Sequence, residues 1–288
     1  MLKSFAKREG CIIGICDAAP LLNTLDPNTP FVSKDIKKRT DPSANLPGAK
    51  SIIAVGVQNT IKAFPPMPED AGILSALCMT EDYHVVVKAL LRKLVSELQK
   101  QFHFMYTILV DSPTLDERAI AMKADLGFIG RNGLVISKEF GSRFNIGLLI
   151  SDIPAENFDK PESINGFCLT NCNRCIQACP TGALLETDNF QVSRCVSYLT
   201  QKDKLTSEEA KMIGRNLYGC DICQDVCPKN PSQPIAWANP DDWISMSDEE
   251  FAKAYGNSAM LWRGTALLKR NAEAVKKNLQ ALQAPPQN

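Results

Sequence analysis

The distribution of cysteines constrains this chain more than any other feature of its sequence. Eight of the 11 cysteines lie between Cys168 and Cys227, in two runs that read CNRCIQACP and CDICQDVCP. A disulfide framework is typical of short secreted chains. This chain has 288 residues, and its start, MLKSFAKREG, has neither a signal peptide's apolar segment nor a twin arginine. We therefore expect a reducing, cytoplasmic location and cysteines that bind metal.

Both runs have the spacing Cys-x2-Cys-x3-Cys-Pro, which is typical of two-cluster bacterial ferredoxins. A two-residue spacer lets one tight loop place thiolates on neighbouring irons, and the cysteine before proline ligates the other cluster. We predict two [4Fe–4S] clusters. The first is assigned Cys168, Cys172, Cys175 and Cys227, and the second Cys179, Cys195, Cys220 and Cys223.

Two observations bear on this assignment. Cys168 lies four residues before Cys172, where the common run has three, so the position of this ligand departs from the ferredoxin pattern. Zinc ribbons also use paired Cys-x2-Cys motifs, and zinc is the alternative. The two Cys-Pro closures and the presence of only two histidines favour iron–sulfur clusters.

The remainder of the chain is too large for a simple electron carrier. More than half of the sequence precedes Cys168, and it alternates apolar, β-branched runs with helical patterns. Strands are predicted at residues 12–15, 51–57, 107–110 and 146–150, and helices at 83–101 and 115–126. The 32 basic and 32 acidic residues balance, which argues against a wholesale polyanion binder. An enzyme connected to the clusters is the favoured interpretation.

A longer pattern narrows this interpretation. Residues 110–153, VDSPTLDERAIAMKADLGFIGRNGLVISKEFGSRFNIGLLISDI, resemble the core of epoxyqueuosine reductases. These are cobalamin-dependent iron–sulfur enzymes that perform the last step of queuosine synthesis on tRNA, and reductive dehalogenases share their architecture. The likeness continues in RCVSYLT and NLYGCDICQDVCPKN and covers most of residues 10–275. Family members continue into a helical-repeat segment that helps to hold tRNA. This sequence ends at Asn288, so we expect a short form.

The resemblance implies an α/β (α+β) corrinoid-binding domain at residues 1–160. A ferredoxin-like domain with two [4Fe–4S] clusters would follow at 161–235, and a C-terminal helical cap at 236–288. It also implies base-off cobalamin, an electron donor of the ferredoxin or flavodoxin type, tRNA as the substrate, and no membrane partner.

Asp111 is the predicted catalytic residue, because it follows an apolar strand and matches the family's catalytic acid. The resemblance implies that it protonates the epoxide oxygen of the substrate. The alternative is that Asp111, Ser112 or Thr114 caps the next helix. The predicted contacts to cobalamin are Asp111, Val135, Ser142, Ile146 and Ser197.

Two other functions stay open at this point. One is a reductase of the same architecture that acts on a small molecule. The other is a two-cluster electron-transfer protein without a corrinoid.

Overall fold

The computed structural model describes residues 1–22, 30–159, 166–186 and 190–283. The chain forms two compact units, each assembled from two stretches of sequence. The first unit comprises Met1–Gln58 and Tyr83–Cys172, and the second comprises Asn59–Asp82 and Asn173–Asn288. The predicted boundary between residues 160 and 161 lies outside the described residues, so the three-domain division stays a prediction.

The elements of the described residues are given in chain order. The strands are β1 Ile12–Asp17, β2 Ser51–Gln58, β3 Gly72–Leu74, β4 Tyr106–Leu109, β5 Phe128–Ile129, β6 Val135–Ile136, β7 Phe144–Ser151, β8 Asn216–Tyr218 and β9 Ala236–Ala238. The helices are α1 Leu2–Glu9, α2 Ile36–Thr40, α3 Tyr83–Leu98, α4 Glu117–Lys123, α5 Arg174–Ala178, α6 Val196–Leu199, α7 Ser207–Met212, α8 Ile222–Asp225, α9 Pro240–Ser245, α10 Asp248–Tyr255 and α11 Thr265–Gln283. None of the helices in these described ranges is both long and apolar enough to span a bilayer.

The first unit is built on a four-stranded sheet with the order β1-β2-β7-β4. All its strand pairs are antiparallel, and Ile53 on β2 lies opposite Leu149 on β7, both fully buried. The alternation of strands and helices in the sequence was compatible with an α/β or an α+β domain. Antiparallel pairing makes it α+β, which confirms the predicted fold class in that form.

Helices cover both faces of this sheet, which explains why its central strands read as continuous apolar runs. On one face, Val87 and Leu91 of α3 pack with Ile53. A Cβ atom on Gly147 of β7 would lie 2.3 Å from a methyl carbon of Val87, so glycine is required for α3 to approach this closely.

The opposite face of the sheet is covered by α4. Ile120 of this helix and Ala124, directly after its last residue, pack with Ile52 of β2 and Leu148 of β7. A Cβ atom on Gly14 would lie 1.9 Å from the carbonyl oxygen of Ala124, so α4 also rests directly on a glycine. The segment between β4 and α4, which contains Asp111, is therefore anchored at both ends by buried elements.

The second unit has its own sheet and its own apolar core. β3 lies in the middle of a three-stranded sheet, parallel to β8 on one side and antiparallel to β9 on the other. The core centres on Trp243, Phe251 and Leu268, which are fully buried. Asn271 of α11 is also fully buried, and its amide donates to the carbonyl oxygens of Thr200 and Leu217 at 2.8 Å.

Candidate active site and cluster ligands

Asp111 stands at the end of β4 in a conformation that few residue types adopt. Its φ is +50°, in the left-handed region, which is uncommon for residues other than glycine. Val110 before it is buried, whereas the Asp111 side chain is 66% exposed. Strained backbone of this kind clusters at functional sites. The fold therefore presents this carboxylate to solvent from a rigid base.

Two aromatic side chains at the start of α3 face this carboxylate. The Tyr83 hydroxyl donates to Oδ2 of Asp111 at 2.5 Å, and Nε2 of His84 lies 3.6 Å from the same oxygen. The two rings stack with centroids 4.1 Å apart. Asp111 thus belongs to a cluster of three groups that can carry a proton. No sequence spacing indicated this cluster, because α3 and β4 meet only through the tertiary fold.

Asp111 does not cap the following helix. That helix begins at Glu117, later than the sequence predicted, and Oδ1 of Asp116 accepts a hydrogen bond from the N–H of Ala119. Ser112 and Thr114 bond to each other through their hydroxyls at 2.8 Å. The capping alternative for Asp111, Ser112 and Thr114 is therefore wrong, and the Asp111 side chain is not engaged in capping.

Glu117 is a second acidic residue at this site, and sequence reasoning missed it. Its Oε1 accepts a hydrogen bond from the N–H of Ser112 at 2.9 Å. Burial raises the pKa of the Glu117 carboxyl to about 8. The Ser112 hydrogen bond acts in the opposite direction, and the nearby charges of Asp111 and Asp116 raise the pKa further. A proton is therefore held on this carboxyl at neutral pH.

The predicted cobalamin contacts divide between the two units. Val135 on β6, Ser142 in the next turn and Ile146 on β7 belong to the first unit with Asp111, whereas Ser197 on α6 belongs to the second. Val135 and Ser142 are buried, and Ile146 is partly buried. The Ser197 hydroxyl lies 3.5 Å from the side-chain amide of Gln201.

The turn before β6 has the chemistry that a corrinoid requires. Asn132 is buried, its Oδ1 accepts from the N–H of Leu134, and its Nδ2 has no partner within the described part of the chain. A buried donor without an acceptor is costly, and the peripheral amides of a corrinoid offer carbonyl oxygens. The turn is held by Arg118, which donates to the carbonyl oxygen of Gly133 at 2.9 Å. These residues therefore fit a corrinoid.

The four cysteines assigned to the second cluster all belong to the second unit. Burial raises the pKa of Cys220 to about 12, and Cys195 and Cys179 are close enough to raise it further by charge. Burial also raises the pKa of Cys223, where Cys220 and Cys195 contribute in the same way. These cysteines form no disulfide and are near enough to influence one another's charge, and thiolates are the ligands that iron–sulfur clusters take.

Backbone groups support one of these thiols directly. The N–H of Ala183 donates to Sγ of Cys179 at 3.3 Å. Although burial acts to raise the pKa of the Cys179 thiol, hydrogen bonds from Leu184, Thr181 and Ala183 hold it below its usual value. Such bonds to sulfur stabilise thiolate ligands and tune the reduction potential of a cluster.

The loop with Cys220 and Cys223 is also tied to the segment that supplies β3. Asp221 accepts from the Ser75 hydroxyl through Oδ1 and from the Ala76 N–H through Oδ2, both at 2.8 Å. These residues are far apart in the chain, so no sequence motif could predict the contact between Asp221 and the Ser75–Ala76 segment. The ligand loop therefore depends on residues far upstream of the cysteine runs.

The ligands assigned to the first cluster fall on both sides of the division between the units. Cys168 and Cys172 are among the last residues of the first unit, and Cys175 and Cys227 belong to the second. All four are partly exposed and without disulfides. Nη1 of Arg131 donates to the carbonyl oxygen of Cys172 at 2.9 Å, which links the turn before β6 to the first cysteine run.

Two cysteine runs that each end in Cys-Pro and an exposed carboxylate on a strained turn indicate a two-cluster iron–sulfur oxidoreductase. Comparison with known proteins makes this specific. Residues 168–230 match the family model of the 4Fe-4S double cluster binding domain, and residues 39–112 match that of epoxyqueuosine reductase QueG, DUF1730.

Similar proteins extend this likeness over most of the chain. An epoxyqueuosine reductase from Lactococcus garvieae is 35% identical over 274 residues, which cover 89% of this chain and 77% of the relative. The structure of epoxyqueuosine reductase from Streptococcus thermophilus superposes with a TM-score of 0.85 at 31% identity and covers 96% of this chain and 80% of that chain. The chain therefore belongs to the epoxyqueuosine reductase family.

A further solved structure is an epoxyqueuosine reductase with a tRNA-Tyr epoxyqueuosine-modified stem loop. It is 29% identical, with a TM-score of 0.84, and covers 98% of this chain and 82% of that chain. Membership of this family makes the protein an oxidoreductase with two [4Fe–4S] clusters and cobalamin as cofactors. The zinc alternative is contradicted by the cluster-domain match.

Proposed function

We propose that this protein reduces epoxyqueuosine to queuosine in tRNA, with Asp111 as the catalytic acid. The observation that carries the proposal is the exposed carboxylate of Asp111 on a strained turn, in a chain that matches epoxyqueuosine reductases on both sides of it. The structure of a relative with an epoxyqueuosine-modified tRNA stem loop supports tRNA as the substrate class.

Asp111 supplies a proton where the epoxide oxygen leaves. Removal of that oxygen breaks two C–O bonds, forms a C=C bond, and takes up two electrons and two protons, so the oxygen departs as water. The Tyr83 hydroxyl, hydrogen-bonded to Oδ2, and His84 beside it are placed to orient the carboxyl and to return its proton.

Cobalamin, when bound, supplies the low-valent cobalt from which the substrate receives electrons. The side chains proposed to contact it are those of Asp111, Val135, Ser142, Ile146 and Ser197. Asn132, in the turn before Val135, adds a buried amide donor that has no partner among the residues the structure describes.

The two sets of four cysteines are proposed to bind the two clusters as the sequence predicts. The proximity of Cys179, Cys195, Cys220 and Cys223 supports the second set. Cys168, Cys172, Cys175 and Cys227 remain for the first. We propose a cytoplasmic protein that takes electrons from a low-potential ferredoxin or flavodoxin.

A strain without its own epoxyqueuosine reductase provides the test. Its tRNA is incubated anaerobically with the reconstituted protein, cobalamin and a low-potential reductant, and nucleosides are quantified by mass spectrometry. Conversion of epoxyqueuosine to queuosine is expected. Unconverted tRNA, with both clusters reducible and cobalamin bound, would contradict the tRNA assignment and favour a small-molecule substrate.

A further inference from the structure

The hydrogen bond between Glu117 and Ser112 has no counterpart in the ordinary capping of helices. In α7 and α10 the cap residues Thr206 and Ser247 form capping boxes, in which a glutamate three positions later reaches back to the cap N–H. In α4 the cap is Asp116, and Glu117 follows it directly. Glu117 instead reaches back past the cap to Ser112, the residue after Asp111.

This bond fixes the peptide that determines where the Asp111 carboxylate points. The positive φ of Asp111 is unfavourable by itself, so surrounding contacts must hold it. Beyond the Glu117 bond, the N–H of Ser33 donates to the carbonyl oxygen of Pro113, and the Thr114 hydroxyl donates to Oδ1 of Asn45. Ser112, the residue after Asp111, is held through its hydroxyl by Thr114 and through its backbone N–H by Glu117.

We propose that Glu117 is a positioning residue for the reduction, which holds Asp111 in place by accepting the Ser112 N–H. This inference rests on the proposed function of Asp111. A relative supports its importance, since the epoxyqueuosine reductase of Bacillus subtilis has been observed with the loop of its catalytic aspartate swung out of the active site. In the present chain the Glu117 bond opposes such a movement.

The neutral state of Glu117 matters for this role. A charged carboxylate beside Asp111 would repel it, whereas a protonated one accepts the Ser112 N–H without adding charge. The raised pKa of Glu117 is consistent with the protonated form at neutral pH. Glutamine has the same shape and the same acceptor, so it should replace glutamate at this position.

Two matched variants separate the effect of the hydrogen-bond acceptor from the effect of side-chain volume. Glu117→Gln keeps the carbonyl acceptor, and Glu117→Met keeps the length and volume of the side chain but lacks the oxygen. Glu156→Ala, at an exposed glutamate of the same unit, is the control. Each protein is measured as the reconstituted holoenzyme, with iron and cobalamin content determined first.

We expect Glu117→Met to lower kcat by about 30-fold or more with KM within about twofold, because a displaced catalytic group slows chemistry more than binding. Glu117→Gln should stay within about threefold of the wild-type kcat. Hydrogen exchange at residues 110–116 should be about tenfold faster in the Met variant and unchanged in the Gln variant.

Three results would overturn the proposal: a wild-type kcat in the Met variant, a Gln variant as slow as the Met variant, or unchanged exchange at residues 110–116 in the Met variant. A wild-type enzyme that leaves epoxyqueuosine unconverted would refute the proposed function. The exchange measurement would still report whether Glu117 holds the turn.

Discussion

The segment around Asp111 and the cysteine loops of the second unit are stabilised in different ways. Asp111 lies between β4, the edge strand of a sheet whose central strands are buried, and α4, which packs on that sheet. The cysteines lie on or beside α5, α6 and α8, helices of four or five residues, and neither α5 nor α8 contains a buried residue. Helices this short are not stable alone. The segment with Asp111 is therefore held by packing, and we expect the cysteine loops to depend on bonds between metal and thiolate.

Removal of one ligand should have the largest effect, because it attacks the region that metal holds together. Cys223→Ala should lose one cluster, so iron falls from about eight to about four atoms per chain, and turnover falls below detection. Iron analysis and the tRNA assay measure this. Cys78→Ala is the matched control, since Cys78 is a buried thiol of the second core. Full iron content in Cys223→Ala would remove Cys223 from the ligand set.

Replacement of Asp111, the proposed catalytic acid, should leave the cysteine loops and their proposed clusters unchanged. Asp111→Asn removes the proton donor but keeps a similar shape, so kcat should fall by about 10²- to 10⁴-fold. Iron content, cluster absorbance and cobalamin binding should remain at wild-type values. If Asp111→Asn retains the wild-type kcat, Asp111 has no part in proton transfer.

Removal of iron from the wild-type protein tests the comparison directly. Amide hydrogen exchange of residues 174–179 and 220–227 should accelerate by about 100-fold in the iron-free protein, because few packing contacts remain there. Amides of β2 and β7 should keep their protection. Equal protection of both regions after iron removal would show that packing alone orders the ligand loops.

The smallest expected effect is the contribution of Glu117 to the pH dependence of folding stability. In the folded protein the pKa of the Glu117 carboxyl is raised to about 8, so the carboxyl keeps its proton up to about that pH. In the unfolded chain the same carboxyl loses its proton near its usual pKa of 4.5. Folding therefore binds a proton between these values, and this contribution to stability falls as the pH rises from about 4.5 to 8.

Partial exposure of Glu117 reduces this effect, so the slope should be shallower than about 1.4 kcal/mol per pH unit. The free energy of unfolding, measured by denaturant for the wild type and Glu117→Gln between pH 5 and about 9, isolates the contribution of Glu117 to the pH dependence. The variant should gain relative stability with rising pH up to about 8. Parallel curves would show that Glu117 ionises normally.

Local patterns in the sequence predicted much of the framework. The apolar run at residues 51–57 is β2, the pattern at 83–101 is α3, and Asp111 follows β4 as expected. These elements could be predicted because the pattern of apolar residues along a short stretch of chain indicates which helix or strand it forms.

The contacts around the acid were not predictable in the same way. Tyr83 meets Asp111 only because α3 packs on the sheet. Nothing in the sequence distinguishes Glu117 from an ordinary acidic residue at the start of a helix, because its bond to Ser112 depends on the path of the loop. Likewise, no local pattern shows that Gly72–Leu74 joins the sheet of the second unit.

The position of β3 in the sheet has a consequence for how the chain is synthesised and for where it can be truncated. The middle strand of the second unit is translated well before the strands on either side of it, β8 and β9. During synthesis this strand must wait, unpaired, until most of the chain has left the ribosome. A gene fragment that begins at residue 168 would encode all eight clustered cysteines without β3, the middle strand of the second unit's sheet. The two units are therefore inherited together, because no single cut in the gene yields either one whole.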